Sequence, residues 1–407
     1  MNRRDFLRLS AGTSLLPFGA TAWAVTAEGG PKRLIVIFLR GAVDGLNVVV
    51  PYAEETYHEV RPTIAIGRPG TDQGALPLND GFGLHPALAG LLPLWSDRKL
   101  AFVHAAGSPH TTRSHFEAQL FIENGTPGDS TTQDGWMNRL LMALPEPRGP
   151  TDAVSVGPTM PQILRGRLPV ANLPLGREAA RPMPLDRPEV RRAFDRLYAG
   201  NDPLSEAYRR GQAVRAELIG DLAAEMQRAD NGAPPPNGFP LEAARLARLI
   251  RRERGIRLAF ASLGGWDTHV NQGRGKGQLA NRLQPLADGL VALAKGLGSD
   301  WDDTVVAVIS EFGRTVRENG NGGTDHGHGN VVWVMGGAVH GGRVYGDWPG
   351  LAKAQLYQGR DLAVTTDYRS VFAAILERHL GLADRQLAQI FPGLPPARSN
   401  LGEMLAS

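Results

Sequence analysis

Apolar runs of strand length recur along this chain, each stopped by glycine or by a polar cluster. "RLIVIFLRG" at 33–41 is apolar almost throughout, with no polar alternation, which predicts a strand buried on both faces. The same reading holds for "KLAFVHAAG" at 99–107, for 256–263, for 304–310 and for the apolar run that starts "NVVWVMGG" at 330. Helical periodicity fills several of the intervals. A helix is predicted over 115–123, with Ser114 as N-cap, Glu117 at the capping-box position and Gly125 as the stop. A long amphipathic stretch at 279–297 reads as a second helix, and 367–381 as a closing one. Strand and helix in alternation predict an α/β fold with a mostly parallel sheet.

In such folds ligands bind outside the carboxyl ends of the strands. Polar residues gather at those ends here. Asp44 follows the first strand in "GAVDGLN", and Thr111, Thr112, Arg113 and Ser114 stand at a strand-to-helix junction, where backbone N–H groups can hold an anion. Asp267 and His269 follow the third strand in "GGWDTH", and Glu311 ends the fourth in "SEFGRT", with Arg314 close behind. "GTDHGHGN" at 323–330 then places Asp325, His326 and His328 among glycines. Alone, that stretch reads first as a polar surface turn. Its recurrence with the other clusters at one sheet edge favours a ligand loop, since imidazole and carboxylate bind divalent ions and glycine lets the backbone come close.

The segment 168–239 breaks the pattern. It opens with "RLPVANLPLGREAARPMPLDRP", continues with two helical stretches and closes with "NGAPPPNG", so a mostly helical insertion or cap is expected there. The first 24 residues, "MNRRDFLRLSAGTSLLPFGATAWA", carry Arg3-Arg4 before Phe6 and Leu7, a short apolar stretch and small residues at 22 and 24. The pattern resembles a twin-arginine export signal, with cleavage after Ala24. The expected product, 25–407, is periplasmic or secreted, with the twin-arginine translocase as its partner during export and no membrane span after cleavage.

Composition narrows the chemistry. The chain of 407 residues has no cysteine, which excludes disulfides and thiolate catalysis. The net charge is +3, and the first 24 residues, with three arginines and one aspartate, hold most of it. The near-neutral remainder argues against nucleic acid as a partner.

The motifs "RRDFL", "GAVDGLN", "RSHFEAQ", "GGWDTH", "SEFGRT" and "GTDHGHGN" together resemble the exported family called domain of unknown function 1501. That family in turn looks like a remote branch of the alkaline phosphatase–sulfatase superfamily. The resemblance implies a doubly wound α/β sheet with one or two divalent metal ions (zinc, calcium or magnesium) at the strand ends. It implies Asp44, Asp267, His269, Glu311 and His326 or His328 as ligands, and the Thr111–Ser114 junction as the nucleophile turn. Phe312 stands where that superfamily usually carries a His or Asn ligand. The expected activity is metal-dependent hydrolysis or transfer of phosphate or sulfate esters, on an anionic small-molecule or polymer substrate. Asp44 and Glu311 would share one ion, and Asp267, His269 and a histidine of the glycine-rich loop, with Asp325 beside it, the other. Ser114 is preferred to Thr111 as nucleophile, and Arg314 or Arg113 would bind an anionic oxygen. The alternative, from another class, is a non-catalytic periplasmic binding or envelope-assembly protein with a degenerate metal site.

Overall fold

A computed structural model describes residues 30–405, apart from 146–148, 150, 158, 174–191, 193–194, 201, 204, 207–237 and 396–399. Among the described residues nine strands form the central sheet: β1 (Arg33–Leu39), β2 (Leu100–Gly107), β3 (Ala153–Val156), β4 (Ala171–Leu173), β5 (Leu258–Leu263), β6 (Thr304–Ser310), β7 (Asn330–Gly336), β8 (Val344–Tyr345) and β9 (Thr366–Asp367). Their order is β8-β2-β7-β6-β1-β5-β3-β4, with β9 also on β2. Only β7 runs antiparallel to its neighbours, β2 and β6. The fold is therefore α/β with a mostly parallel sheet, as the apolar runs predict.

Every residue of β1 is buried. Ile35, Ile37 and Leu39 enter one hydrophobic layer, and Leu34, Val36 and Phe38 the other. Alternate side chains of a strand point to opposite faces, so a run without polar breaks requires cover on both. The helices α3 (Phe239–Arg252) and α4 (Gln278–Leu297) supply one layer. The helices α2 (Trp136–Ala143), α5 (Tyr368–Arg378) and α6 (Asp384–Ile390) supply the other. Each Leu, Ile or Val so buried contributes roughly 1.5–3 kcal/mol.

Two local expectations need correction. Ala171–Leu173, expected to belong to the irregular insertion, pair in parallel with β3 as an edge strand. An edge tolerates the nearby Pro169, because one side of the strand needs no ladder partner. Most of the remaining expected insertion lies outside the described residues. The helix α1 (His115–Asn124) forms as expected and ends at Gly125 with φ +70°. Its capping box does not form: Ser114 makes no side-chain cap, and Glu117 instead accepts from Thr112 Oγ1 at 2.6 Å.

Because β1, β2, β5 and β6 run the same way, their following loops emerge at one sheet edge, where antiparallel β7 begins.

Candidate metal centre

Close backbone contacts bring these loops together. Gly41, at φ +115°, lies so near the loop after β5 that a Cβ there would stand 2.8 Å from the Asp267 amide nitrogen. Trp266 is buried and donates from its indole to Leu263 O at 2.9 Å, which anchors that loop. A Cβ on Gly327 would meet the Arg314 backbone at 2.5 Å. The glycine spacing in "GTDHGHGN" thus lets this segment lie flat on the stretch after Glu311, with a bridge between Arg314 and His326. Asn330 fastens the arrangement by donating to Phe312 O at 2.6 Å and Val43 O at 3.1 Å.

Three imidazoles and one carboxylate converge in the space so formed. His115 Nε2 lies 2.9 Å from His326 Nε2, and His269 Nε2 lies 3.0 Å from the same atom. Asp267 Oδ1 stands 2.9 Å from His269 Nε2, 3.4 Å from His326 Nε2 and 3.6 Å from His115 Nε2. The ligand atoms of His115, Asp267 and His326 all fall within 4.8 Å of one another.

The opposite ring nitrogens fix the tautomers. His115 Nδ1 faces Glu311 Oε1 at 2.8 Å, His326 Nδ1 faces Arg113 O at 2.9 Å, and His269 Nδ1 faces Asp325 Oδ1 at 3.3 Å. An ionised carboxylate and a carbonyl only accept, so each Nδ1 carries hydrogen. In the neutral rings each Nε2 is then a lone pair. Three lone pairs aimed at one another and at a carboxylate oxygen repel unless a cation or proton lies between them. The donor set fits a divalent ion: tetrahedral bonds of zinc to nitrogen or oxygen place neighbouring ligand atoms about 3.3 Å apart. Backing each imidazole by an acceptor is also the usual support of metal-binding histidines.

The surroundings keep the carboxylates ionised and pull the imidazoles in opposite directions. Burial pushes the Glu311 carboxyl up, but hydrogen bonds from His115, Gln119 and the Gly41 amide outweigh it and hold the group below its ordinary value. The bond to Glu311 raises His115, whereas burial lowers His326. Burial also raises Asp267, yet the hydrogen bond and charge of Arg314 leave it lowered and ionised. The cluster stays open to solvent, with side-chain exposures of 21% for His115, 25% for His326 and 44% for Asp267.

Of the expected ligands, the structure brings Asp267, His269 and His326 together. Asp325 and Glu311 stand behind them as hydrogen-bond partners of His269 and His115. Arg314 is not free for a substrate oxygen. It is buried, with Nη1 on Asp267 Oδ1 at 2.7 Å, Nε on Thr324 Oγ1 at 3.1 Å and Nη2 on Thr324 O. Asp44, expected beside Glu311 at one ion, is instead taken up by protein donors. Arg61 grips both its oxygens, at 2.6 and 3.1 Å, and Gln272 donates to it at 2.6 Å, all fully buried. His328 turns away and packs its ring on Tyr357, centroids 4.7 Å apart. Ser114 and Thr111 are exposed, and neither hydroxyl hydrogen-bonds to the cluster. Phe312 is buried against the rings of His115 and His326, at 4.9 and 5.2 Å.

Sequence reasoning passed over His115. It sits inside "RSHFEAQ" on a residue assigned to the first turn of a helix, and only its place after the β2 junction marks it. Gln119, one turn on, shares its face and donates to Glu311 at 2.9 Å.

No curated protein matches the sequence. Among solved structures, the C-terminal periplasmic domain of EcEptC from Escherichia coli, a zinc complex, is 11% identical over 76% of this chain and 74% of its own, with a TM-score of 0.36. Ps i-CgsB in complex with k-i-k-neocarrahexaose is 10% identical over 88% and 74%, with a TM-score of 0.36. The lipoteichoic acid synthase LtaP from Listeria monocytogenes is 8% identical over 76% and 66%, with a TM-score of 0.31. Likeness at this level bears on no residue and no reaction of this chain. The family described as "Protein of unknown function (DUF1501)" matches residues 95–391, which hold His115, Asp267, His269, Glu311 and His326, and the chain belongs to that family.

Proposed function

We propose that this protein is a metal-dependent hydrolase or transferase of phosphate or sulfate esters, and that it acts after export by the twin-arginine route. The observation that supports it is the convergence of three Nε2 atoms and Asp267 Oδ1, each imidazole backed by an acceptor. His115, Asp267 and His326 would hold one divalent ion, with His269 at its edge. The ion would supply a Lewis acid for an ester oxygen, the reaction class that oxygen-rich anionic substrates require. Glu311, Asp325 and the Arg113 carbonyl keep the imidazoles in the binding tautomer. Arg314 keeps Asp267 ionised and aimed. The open face admits an anionic small-molecule or polymer ester.

The test combines metal analysis with turnover. The purified mature protein should carry about one divalent ion per chain, and His115→Ala and His326→Ala should each lose it. Turnover of an aryl phosphate or aryl sulfate should vanish on chelation and return with metal. Protein that binds no divalent ion would sink the reading outright. Metal retained with no turnover across a panel of phosphate and sulfate esters would favour the second reading, a metal-holding binding protein. The placement of Ser114 and Thr111 out of hydrogen-bond contact with the cluster is the observation on its side.

The export part rests on "RRDFL" and the small residues at 22 and 24. Among the described residues no helix is long and apolar enough to cross a membrane. Replacing Arg3 and Arg4 by lysine should trap the chain in the cytoplasm, and unimpaired export of that variant would refute the route.

A further inference from the structure

A separate cavity of about 340 Å3 opens where the stretch after Arg314 meets the loop ending at Asp361. Val316, Leu351 and Leu356 form its apolar wall, and Arg317, Lys353 and Arg360 its charged side, with no acidic residue among the lining. None of the metal-cluster residues lines it. Arg360 is already engaged, since its Nη2 donates to His326 O at 2.6 Å and its Nε lies 3.5 Å from Asp361 Oδ1. Arg317 and Lys353 are exposed, and among the described residues neither makes an ion pair.

Two cations without counter-charge beside a concave apolar wall are an unusual pairing. Exposed lysine and arginine are ordinary, and so is a shallow apolar dent. Together they offer opposite ends of one ligand what each end needs. A planar guanidinium and an ammonium favour a phosphate, sulfate or carboxylate head. The wall of Val316, Leu351 and Leu356 gains from covering by a hydrocarbon body. The volume lies at the small end of ligand cavities, which limits that body to a short chain or one ring.

We propose that this cavity binds a small anionic amphiphile, with its head on Arg317 and Lys353 and its apolar body against Val316, Leu351 and Leu356. The site is distinct from the metal cluster and does not depend on a metal being held there.

Titration calorimetry on the mature chain in the presence of a chelator, so that no metal ion offers a second site, tests this with octyl phosphate kept below its micelle concentration. One-to-one binding is expected. It should weaken at least tenfold in the double variant Arg317→Ala/Lys353→Ala, whose side chains are exposed and leave the core intact. Inorganic phosphate should bind at least tenfold more weakly than octyl phosphate. Lys295→Ala/Arg251→Ala, an equal loss of two exposed charges elsewhere, should leave binding unchanged. Absence of saturable binding, or wild-type affinity in the double variant, overturns the proposal. Binding that appears only when metal is restored, and is kept in the double variant, assigns octyl phosphate to the metal cluster and also overturns it. Equal affinity for inorganic phosphate removes the role of the apolar wall and overturns it as well.

Discussion

Asp44 and Asp267 look alike in sequence, each a carboxylate just past a strand, yet their surroundings give them different work. Asp44 is fully buried and paired with Arg61, whose guanidinium also donates to Asn47 Oδ1 at 2.7 Å and Thr315 O at 2.8 Å. Asp44→Asn would leave the Arg61 charge uncompensated in the interior, a loss of about 3–5 kcal/mol. Its urea midpoint should fall sharply while metal content stays at the wild-type value. Asp267→Asn should do the reverse, losing the ion with a small change in midpoint for the metal-free protein. A parallel loss of metal in both variants would contradict this division. Glu311→Gln keeps the volume and the acceptor but weakens the basicity it lends to His115. The metal dissociation constant should rise by roughly 10–100-fold, measured by competition with a chelator. Unchanged affinity would place Glu311 outside the metal's support. None of this division was legible in the sequence, because Arg61 meets Asp44 only through the fold and no spacing marks the pair.

At the level of elements, the central strands were legible because burial on both faces leaves an unbroken apolar run that few other structures need. What the pattern could not carry was direction and local hydrogen bonding. The antiparallel sense of β7 depends on the loop from Glu311 to Gly329 folding back at the same edge, and an apolar strand looks the same either way round. The sequence places the start of α1 and its N-cap residue, Ser114, correctly, but the Ser114 hydroxyl makes no capping bond. Thr112 Oγ1 donates to Glu117 and accepts from the Ser114 amide at 3.2 Å, while the Ser114 side chain caps nothing. Thr112→Ala should therefore lower stability by about 0.5–1 kcal/mol, and Ser114→Ala should leave it nearly unchanged. Urea denaturation of the two variants side by side decides the matter, and the opposite ranking would restore Ser114 as the cap. The candidate site follows the same logic. Residues just past strand ends were found by position, whereas His115 was hidden because a histidine in a helical first turn carries no sequence signal of where its ring points.

Across the whole molecule, three histidines away from the metal cluster are buried as neutral rings, and they set how the fold responds to acid. His104 packs between Phe82 and Trp348 and donates to Val49 O at 2.9 Å. His85 accepts from the Ala87 amide at 3.0 Å and faces Arg274 O at 3.1 Å, and His379 donates to Arg33 O at 3.0 Å. Burial pushes each of them down to about 4. In the unfolded chain the same groups titrate near 6.5. Between these values the unfolded state binds more protons than the folded one, so stability rises with pH through the window and is lost as pH falls through it. The full loss is on the order of 3 kcal/mol for each ring, which for three together rivals the whole stability of an ordinary domain. The metal-free protein should therefore show a urea midpoint that drops steeply as pH falls from about 6.5 towards 4. Working without metal separates this effect from loss of the ion as its imidazole ligands protonate. His104→Gln keeps an N–H for Val49 and removes the titrating ring. It should cost some stability at pH 7 and make the acid slope shallower. A slope identical to wild type would mean that His104 is not among the groups whose protonation unfolds the protein, and carboxylates such as Glu311, held low in the folded state, would have to account for the acid transition instead.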